Sequence, residues 1–353
     1  MRITGEIRVP GDKSISHRAF MLGALAHGTT LVRGALESLD VLSTIKALTA
    51  MGARIEKKGD EWHVTGGGLH EPESVIDAGN SGTTARLLSG ICASIPGVTV
   101  MTGDSSLIKR PMARVIRPLT GMGASFLARQ GRFLPMAVRG GGLHGISFSL
   151  EVASAQVKSA LLLAGLKAEG TTTVTEPSLS RDHTERMLKH FGARVDRQGA
   201  SVTIHGPQEI SAREVSVPSD PSSAAFPAVL AAAVPGSKLL LKDVCLNPTR
   251  TGFIPVLERM GARIALQNIH DDSGEPVGDI LVEGRGLRGT TIGGDEVPRL
   301  IDEIPILAVA ACFAEGTTVI SDASELRVKE TDRIDALVKG FASLGAQVEE
   351  RPD

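Results

Sequence analysis

Seven stretches of the sequence put charged or hydroxyl side chains where a helix is expected to begin, which is where backbone N–H groups most readily hold an anion. In IRVPGDKSISHRAF, Pro10-Gly11 makes a turn, Asp12, Lys13 and Ser14 follow, and Ser16 is expected to cap a helix carrying His17 and Arg18. Two cations and a hydroxyl there suit a phosphate or carboxylate. A capped helix with a solvated basic first turn is the plainer alternative. In DAGNSGTTARLL, the small residues Gly79, Ser81, Gly82, Thr83 and Thr84 lead into a helix carrying Arg86. Their N–H groups can form an anion nest, although such turns are common without a ligand. LIKRPMARVIRPL gathers Lys109, Arg110, Arg114 and Arg117 around two prolines, and Pro111 restricts the backbone beside the Arg110 guanidinium. A solvated cationic turn fits equally well.

The other four are similar in kind. VASAQVKSALLLAGL sets Ser154, Gln156 and Lys158 at the front of an apolar helix, as caps or ligand contacts. LSRDHTERML offers Ser180, Arg181, Asp182 and His183, for which a cap plus a surface histidine is the plainer account. VPRLIDEIPILAVAA places Asp302 and Glu303 before a strongly apolar helix, as an N-cap or as a base tuned by its surroundings. ELRVKETDRIDAL puts Lys329, Glu330 and Arg333 at one helix start, where a surface ion pair between Glu330 and Arg333 is the bland outcome. Singly, none of the seven decides anything.

What must position them is a repeat. LTAMGARIE, LTGMGASFL, LKHFGARVD, LERMGARIA and FASLGAQVE share the glycines Gly52, Gly123, Gly192, Gly261 and Gly345, spaced 71, 69, 69 and 84 residues apart. A second series, Gly28, Gly97, Gly170, Gly236 and Gly316, runs in step at 69, 73, 66 and 80. Each follows an apolar stretch, and all but Gly236 precede Thr- or Val-rich residues. Each repeat therefore reads helix, glycine stop, strand, helix, glycine stop, strand. Units of about 70 residues stacked around an apolar axis would gather their helix starts into one anion site. Pro-bearing stretches at Val9–Asp12 and Val217–Pro221 are candidate crossings between domains, and Asp271–Gly278 is expected to be an exposed loop.

Composition narrows the field. A chain of 353 residues exceeds one ordinary core, and 38 basic against 40 acidic side chains leave a net charge of −2, which argues against a general polyanion binder. One Trp and no Tyr make stacking on bases an unlikely device. Cys92, Cys245 and Cys312 are unclustered and are expected to be buried thiols in a reducing compartment. With no apolar stretch of about 18 residues and no leader pattern, a soluble cytoplasmic protein is expected, without nucleic-acid or membrane partners.

The strings PGDKSISHR, GNSGTTARLL, KRPM, SAQVKSALLLA, SRDHTE, IDEIPILAVAA and RVKETDRI resemble, in the same order, the 5-enolpyruvylshikimate-3-phosphate synthase family of the shikimate pathway. The resemblance implies an α/β fold, a two-lobed inside-out barrel of six αβ units. The lobes close on shikimate-3-phosphate and phosphoenolpyruvate, with no metal or organic cofactor. On this chain the first lobe would comprise 1–12 and 221–353, and the second 13–220. Lys13, Ser14 and Arg18 would bind shikimate-3-phosphate, with Lys13 also reaching phosphoenolpyruvate and counted among the catalytic residues. Ser154, Ala155 and Gln156 would contact the phosphate and ring side, and Ser180 or Arg181 the phosphate. Asn80, Gly82, Arg110, Gln156 and Arg333 would surround phosphoenolpyruvate. Asp302 would be the base at the 5-hydroxyl, Lys329 a neighbour of the same substrate, and Glu330 a proton donor or relay at the methylene carbon. The inhibitor glyphosate would take the phosphoenolpyruvate position beside Gly82.

Two rivals and one departure accompany this reading. The enolpyruvyl transferase acting on UDP-N-acetylglucosamine carries Lys-Asn and a loop cysteine, whereas Lys13 is followed here by Ser14 and the Arg110 loop has no Cys. A non-catalytic anion-binding scaffold is the rival of another class. The chain carries five repeats where the family has six, so a shortened chain, or a sixth unit supplied by a separate chain, is expected. A fragment that binds its substrate but needs that unit for turnover is then the alternative function.

Overall fold

All ten glycines that mark the repeat adopt positive φ, from +77° at Gly236 to +120° at Gly97, a region that L side chains rarely enter. Gly52, Gly123, Gly192, Gly261 and Gly345 close helices, as expected. The second series differs. Gly28, Gly97 and Gly170 each open a strand, because the helix before them already ends three to five residues earlier. The structure is a computed structural model and describes residues 2–352; Met1 and Asp353 lie outside the described residues.

The chain divides into two compact units. The larger comprises Gly11–Val217 and Asp272–Glu275; the smaller comprises Met1–Pro10, Pro218–Asp271 and Pro276–Asp353. The larger holds helices α1 (Lys13–Leu25), α2 (Leu39–Ala50), α3 (Gly82–Ser94), α4 (Ala113–Gly121), α5 (Ala155–Gly165) and α6 (His183–His190). The smaller holds α7 (Pro221–Ala233), α8 (Phe253–Arg259), α9 (Ile304–Cys312) and α10 (Arg333–Ser343).

Three four-stranded sheets of the larger unit share one plan. A central strand (Gly28–Arg33, Gly97–Thr102 or Gly170–Thr175) lies beside a hairpin on one side and a short parallel strand on the other. The hairpins are Arg54–Gly66, Ser125–Gly140 and Val195–Gly206. The short strands tie the repeats into a ring. Ile76–Asp77 and Ser147–Ser149 each join the sheet of the following repeat, and Glu214–Ser216 returns to the first. In the smaller unit Thr4–Ile7, Lys238–Cys245, Glu275–Glu283 and Arg263–Asp272 repeat the plan, except that the hairpin tip Asp272–Glu275 belongs to the larger unit; two-stranded pairs only follow. No sheet closes on itself among the described residues.

Each repeat of the larger unit thus carries two strands more than expected, the second arm of a hairpin and the short parallel strand. The segment Asp271–Gly278, expected as a loop, is also a hairpin tip, with Ser273 and Gly274 at φ +53° and +85°. Cys92 and Cys245 are buried, but Cys312, at the end of α9, is exposed.

Helices line the interior of the larger unit. Every residue of α1 from Ile15 to Leu25 is buried, as is α5 from Val157 onward. The α3 and α5 backbones approach so closely that a Cβ on Gly90 would lie 2.1 Å from the Ala160 carbonyl oxygen. Because their sides are sealed, these helices offer a ligand only their starts. No described helix is long and apolar enough to cross a membrane.

Candidate active site

In the larger unit, the five helix starts singled out by sequence are joined by one hydrogen-bonded network. Asp12 caps α1, its carboxylate accepting from Ile15 N at 2.8 Å. Ser16, the expected cap, lies inside the helix and donates to the Asp12 carbonyl at 2.7 Å. Lys13 opens α1 with its side chain 49% exposed and its Nζ 3.4 Å from Asp40. Ser14 precedes the sealed part of the helix, and its carbonyl accepts from Arg18 at 2.9 Å.

Arg18 points inward rather than outward. It is buried, with Nε donating to Thr184 Oγ1 at 2.7 Å and Nη2 to Ser159 Oγ at 2.8 Å. Burial lowers its guanidinium to about 10, while Glu185 and Asp12 oppose the shift, so it stays charged at neutral pH. The structure therefore gives Arg18 the task of tying α1 to α5 and α6.

His17 starts a chain of hydroxyls toward the second motif. Its Nδ1 meets Thr44 Oγ1 at 2.7 Å, Thr44 meets Thr84 at 2.7 Å, and Thr84 donates to Ser81 at 2.7 Å. Burial, reinforced by Arg18 and Lys13, holds the imidazole down at about 3, so it is neutral. An unfolded histidine protonates near 6.5, so below that pH the unfolded chain binds the extra proton and stability falls. His17→Asn keeps a polar atom at the Nδ1 position without titrating. In urea unfolding, the wild type should lose about 2 kcal/mol more than this variant between pH 7 and pH 5. Equal losses would show that His17 titrates normally.

Ser81 caps α3 as its position suggests, accepting from Thr84 N at 3.1 Å. Around that cap the second, third and fourth motifs converge. Arg110 Nη2 donates to Asn80 Oδ1 at 2.5 Å and to Ser106 at 3.3 Å, while Asn80 Nδ2 donates to Asp104 at 2.6 Å. Arg86 Nη1 donates to Gln156 Oε1 at 2.9 Å, and Gln156 Nε2 donates to Thr83 at 3.1 Å. A Cβ on Gly82 would lie 2.6 Å from Arg86 Nη1 and 3.4 Å from Arg110 Nη1, so two guanidinium groups face the bare backbone there. Arg86 was absent from the residues expected to bind substrate. Its signal was its place one turn after Gly82 on the same helix. Arg117 takes the plainer course and pairs with Glu151 on the surface at 2.7 Å.

Ser154 caps α5 at 3.4 Å from Val157 N, with Ala155 and Gln156 directly after it. Ser180 is buried before α6, its hydroxyl donating to Glu176, and Arg181 follows. His183, expected at the surface, is buried with Nδ1 2.7 Å from Glu275.

The smaller unit holds the last two motifs. Arg333, the first residue of α10, places Nη1 3.1 Å from Asp302 and Nη2 2.8 Å from Glu330. Burial works against its charge, but the Glu330 hydrogen bond and the Asp302 charge outweigh it and raise the guanidinium above its ordinary value. Lys329 and Glu330 lie in the turn before α10 and not on the helix itself, which Asp332 caps through Ile334 N and Asp335 N, both at 3.1 Å. Asp302 is not an N-cap; Glu303 flanks α9 and makes no capping bond there. Glu303 is instead buried, accepting from Ser222, which also accepts from Arg250 at 2.8 Å.

Such an arrangement can hold anions at helix starts and sets two carboxylates beside a shared guanidinium. The family model described as EPSP synthase (3-phosphoshikimate 1-carboxyvinyltransferase) matches residues 1–353. Proteins named 3-phosphoshikimate 1-carboxyvinyltransferase from Bacillus anthracis and Bacillus thuringiensis are 54% identical over 355 residues, covering 99% of this chain and 83% of theirs. The solved EPSP synthase of Acinetobacter baumannii aligns with a TM-score of 0.90 at 46% identity, over 100% of this chain and 81% of that one. The enolpyruvyl transferase NikO from Streptomyces tendae shares the fold alone, at a TM-score of 0.70 and 17% identity. In these relatives the length beyond the match belongs to the same chain, so the expectation of a separate chain supplying a sixth unit is not supported.

Proposed function

The chain belongs to the EPSP synthase family, and from that premise we infer that it transfers the enolpyruvyl group of phosphoenolpyruvate to the 5-hydroxyl of shikimate-3-phosphate. Phosphate is released, and the step lies in the shikimate pathway. The match across residues 1–353 carries this conclusion. Phosphate release dependent on both substrates is its test; a protein that turns over neither and binds no shikimate-3-phosphate in calorimetry would overturn it.

The roles we assign follow the geometry of each unit. Lys13, Ser14, Ser154, Ala155, Gln156, Ser180 and Arg181 take shikimate-3-phosphate at the starts of α1, α5 and α6. Arg18 holds those starts together from within. Phosphoenolpyruvate, with a carboxylate and a phosphate, is assigned to Asn80, Gly82, Arg110 and Gln156, joined by Arg86, with Lys13 and Arg333 contributing further positive charge. Asp302 takes the 5-hydroxyl proton as the oxygen bonds to C2 of phosphoenolpyruvate, and Glu330 delivers a proton to the methylene carbon. In the second half a proton leaves that carbon as the C2–O bond to phosphate breaks. Lys329 supports the charge of the first substrate. Five of the six units of a two-lobed inside-out α/β barrel, its lobes 1–12 with 221–353 and 13–220, and a cytoplasmic location complete the reading.

Glyphosate tests the Gly82 assignment. A methyl at that position must displace the Arg86 guanidinium tip, which lies within 2.6 Å of its place. The larger inhibitor should lose more than phosphoenolpyruvate does. Gly82→Ala is therefore expected to raise the glyphosate inhibition constant by roughly tenfold or more, against a smaller rise in the KM of phosphoenolpyruvate. Equal losses of both would show that the loop binds neither as assigned.

A further inference from the structure

Lys158 has no part in the roles above, yet the larger unit buries its side chain completely. Its Nζ lies 2.7 Å from Glu176 Oε2, 2.8 Å from Glu185 Oε1 and 3.5 Å from the Ser180 carbonyl oxygen. The other Glu176 oxygen accepts from the Ser180 hydroxyl. At the near end, Lys158 N donates to the Ser154 carbonyl at 3.0 Å, one turn into the helix that Ser154 caps. A desolvated ammonium is retained only where carboxylates compensate it closely, and here the two carboxylates come from either end of the segment that carries Ser180 and Arg181.

We propose that Lys158 is a positioning residue for the sugar-phosphate site, locking the Ser180–Arg181 segment against the start of α5. The proposal rests on the assignment of Ser154, Ser180 and Arg181 to shikimate-3-phosphate. Two consequences follow from the contacts. Lys158 offsets the Glu176 charge, which would otherwise repel a phosphate near Ser180. Because the Ser180 hydroxyl proton goes to Glu176, that hydroxyl has none to give the ligand. Arg181 and backbone N–H groups must then donate to the phosphate.

Lys158→Met alone would leave two buried carboxylates facing each other and is expected to misfold. Lys158→Met combined with Glu176→Gln removes one charge of each sign and leaves Glu185 to Arg197, 3.9 Å away. Calorimetry on the full chain should find the double variant binding shikimate-3-phosphate roughly tenfold or more weaker. Its circular dichroism, and its KM for phosphoenolpyruvate at saturating first substrate, should stay near the wild-type values. Glu176→Gln by itself keeps the Lys158–Glu185 pair and should weaken shikimate-3-phosphate in the same direction by a smaller factor. Ser180→Ala should cost much less than Arg181→Ala. A purely structural Lys158 would lower the melting temperature without moving that affinity. Folded variants whose affinity stays within about twofold of the wild type would overturn the proposal, provided Arg181→Ala loses the ligand. If Arg181→Ala also binds normally, the assignment of the α6 start is at fault and the proposal falls with it.

Discussion

Asp302→Asn is expected to lower turnover by roughly 10²- to 10⁴-fold while shikimate-3-phosphate binds almost as well as before. The substitution is close to isosteric, and the asparagine oxygen can still accept from Arg333, now 3.1 Å from the carboxylate. What disappears is the group able to take the 5-hydroxyl proton. Folding should be little affected, because the side chain is 30% exposed and caps no helix. Losing one partner also leaves Arg333 compensated by Glu330 at 2.8 Å. A fall in kcat with an unchanged melting temperature and unchanged calorimetric affinity would match the assignment. If the variant kept most of its activity, Asp302 would be only a partner for Arg333.

The same carboxylate illustrates what sequence could and could not convey. Residue types at helix starts were readable, and so was the repeat, because a glycine at positive φ is hard to replace and recurs wherever the chain turns. The second arm of each hairpin was hidden. In Arg54–Gly66 the arms meet at Gly59, and Lys57, Lys58 and Glu61 make the tip look like a charged loop. Three of those side chains are solvent-facing or partly so, which leaves only Ile55, Trp62 and Val64 to suggest strand.

Side-chain direction was the larger loss. Lys13 and Arg18 stand five residues apart in one motif, yet Lys13 opens the helix beside solvent and Arg18 falls where α1 is covered on every side. Likewise Lys158, His17 and His183 read as polar residues near helix starts, but each is fully buried against a partner from a distant segment. Those partners, Thr44, Glu176, Glu185 and Glu275, carry no local pattern that marks them. Arg86 was visible as the arginine of the glycine loop. Its approach to Gly82 and Gln156 depends on the packing of α3 against α5, which a repeat pattern does not specify.

Lys13→Met should abolish detectable binding of both substrates while leaving the fold intact. Lys13 is the first residue of α1, and the cap that starts the helix is made by the Asp12 carboxylate, so the helix does not depend on it. Its ion pair with Asp40 spans 3.4 Å between half-exposed groups, a contact that contributes little to stability. Replacing the ammonium by a thioether opens no cavity in the core. The functional loss is of another order. Arg18, the other cation of the motif, is already engaged with Thr184, Ser159 and the Ser14 carbonyl. With Arg18 turned inward, no second side-chain cation of this motif can take over. The Asp40 carboxylate, no longer paired with Lys13, would add a repulsive charge close to an anionic ligand. Calorimetry with each substrate, alongside circular dichroism and thermal melting, decides the matter. A folded variant with wild-type affinity for shikimate-3-phosphate would mean that the α1 start is only a capped helix with a solvated basic turn.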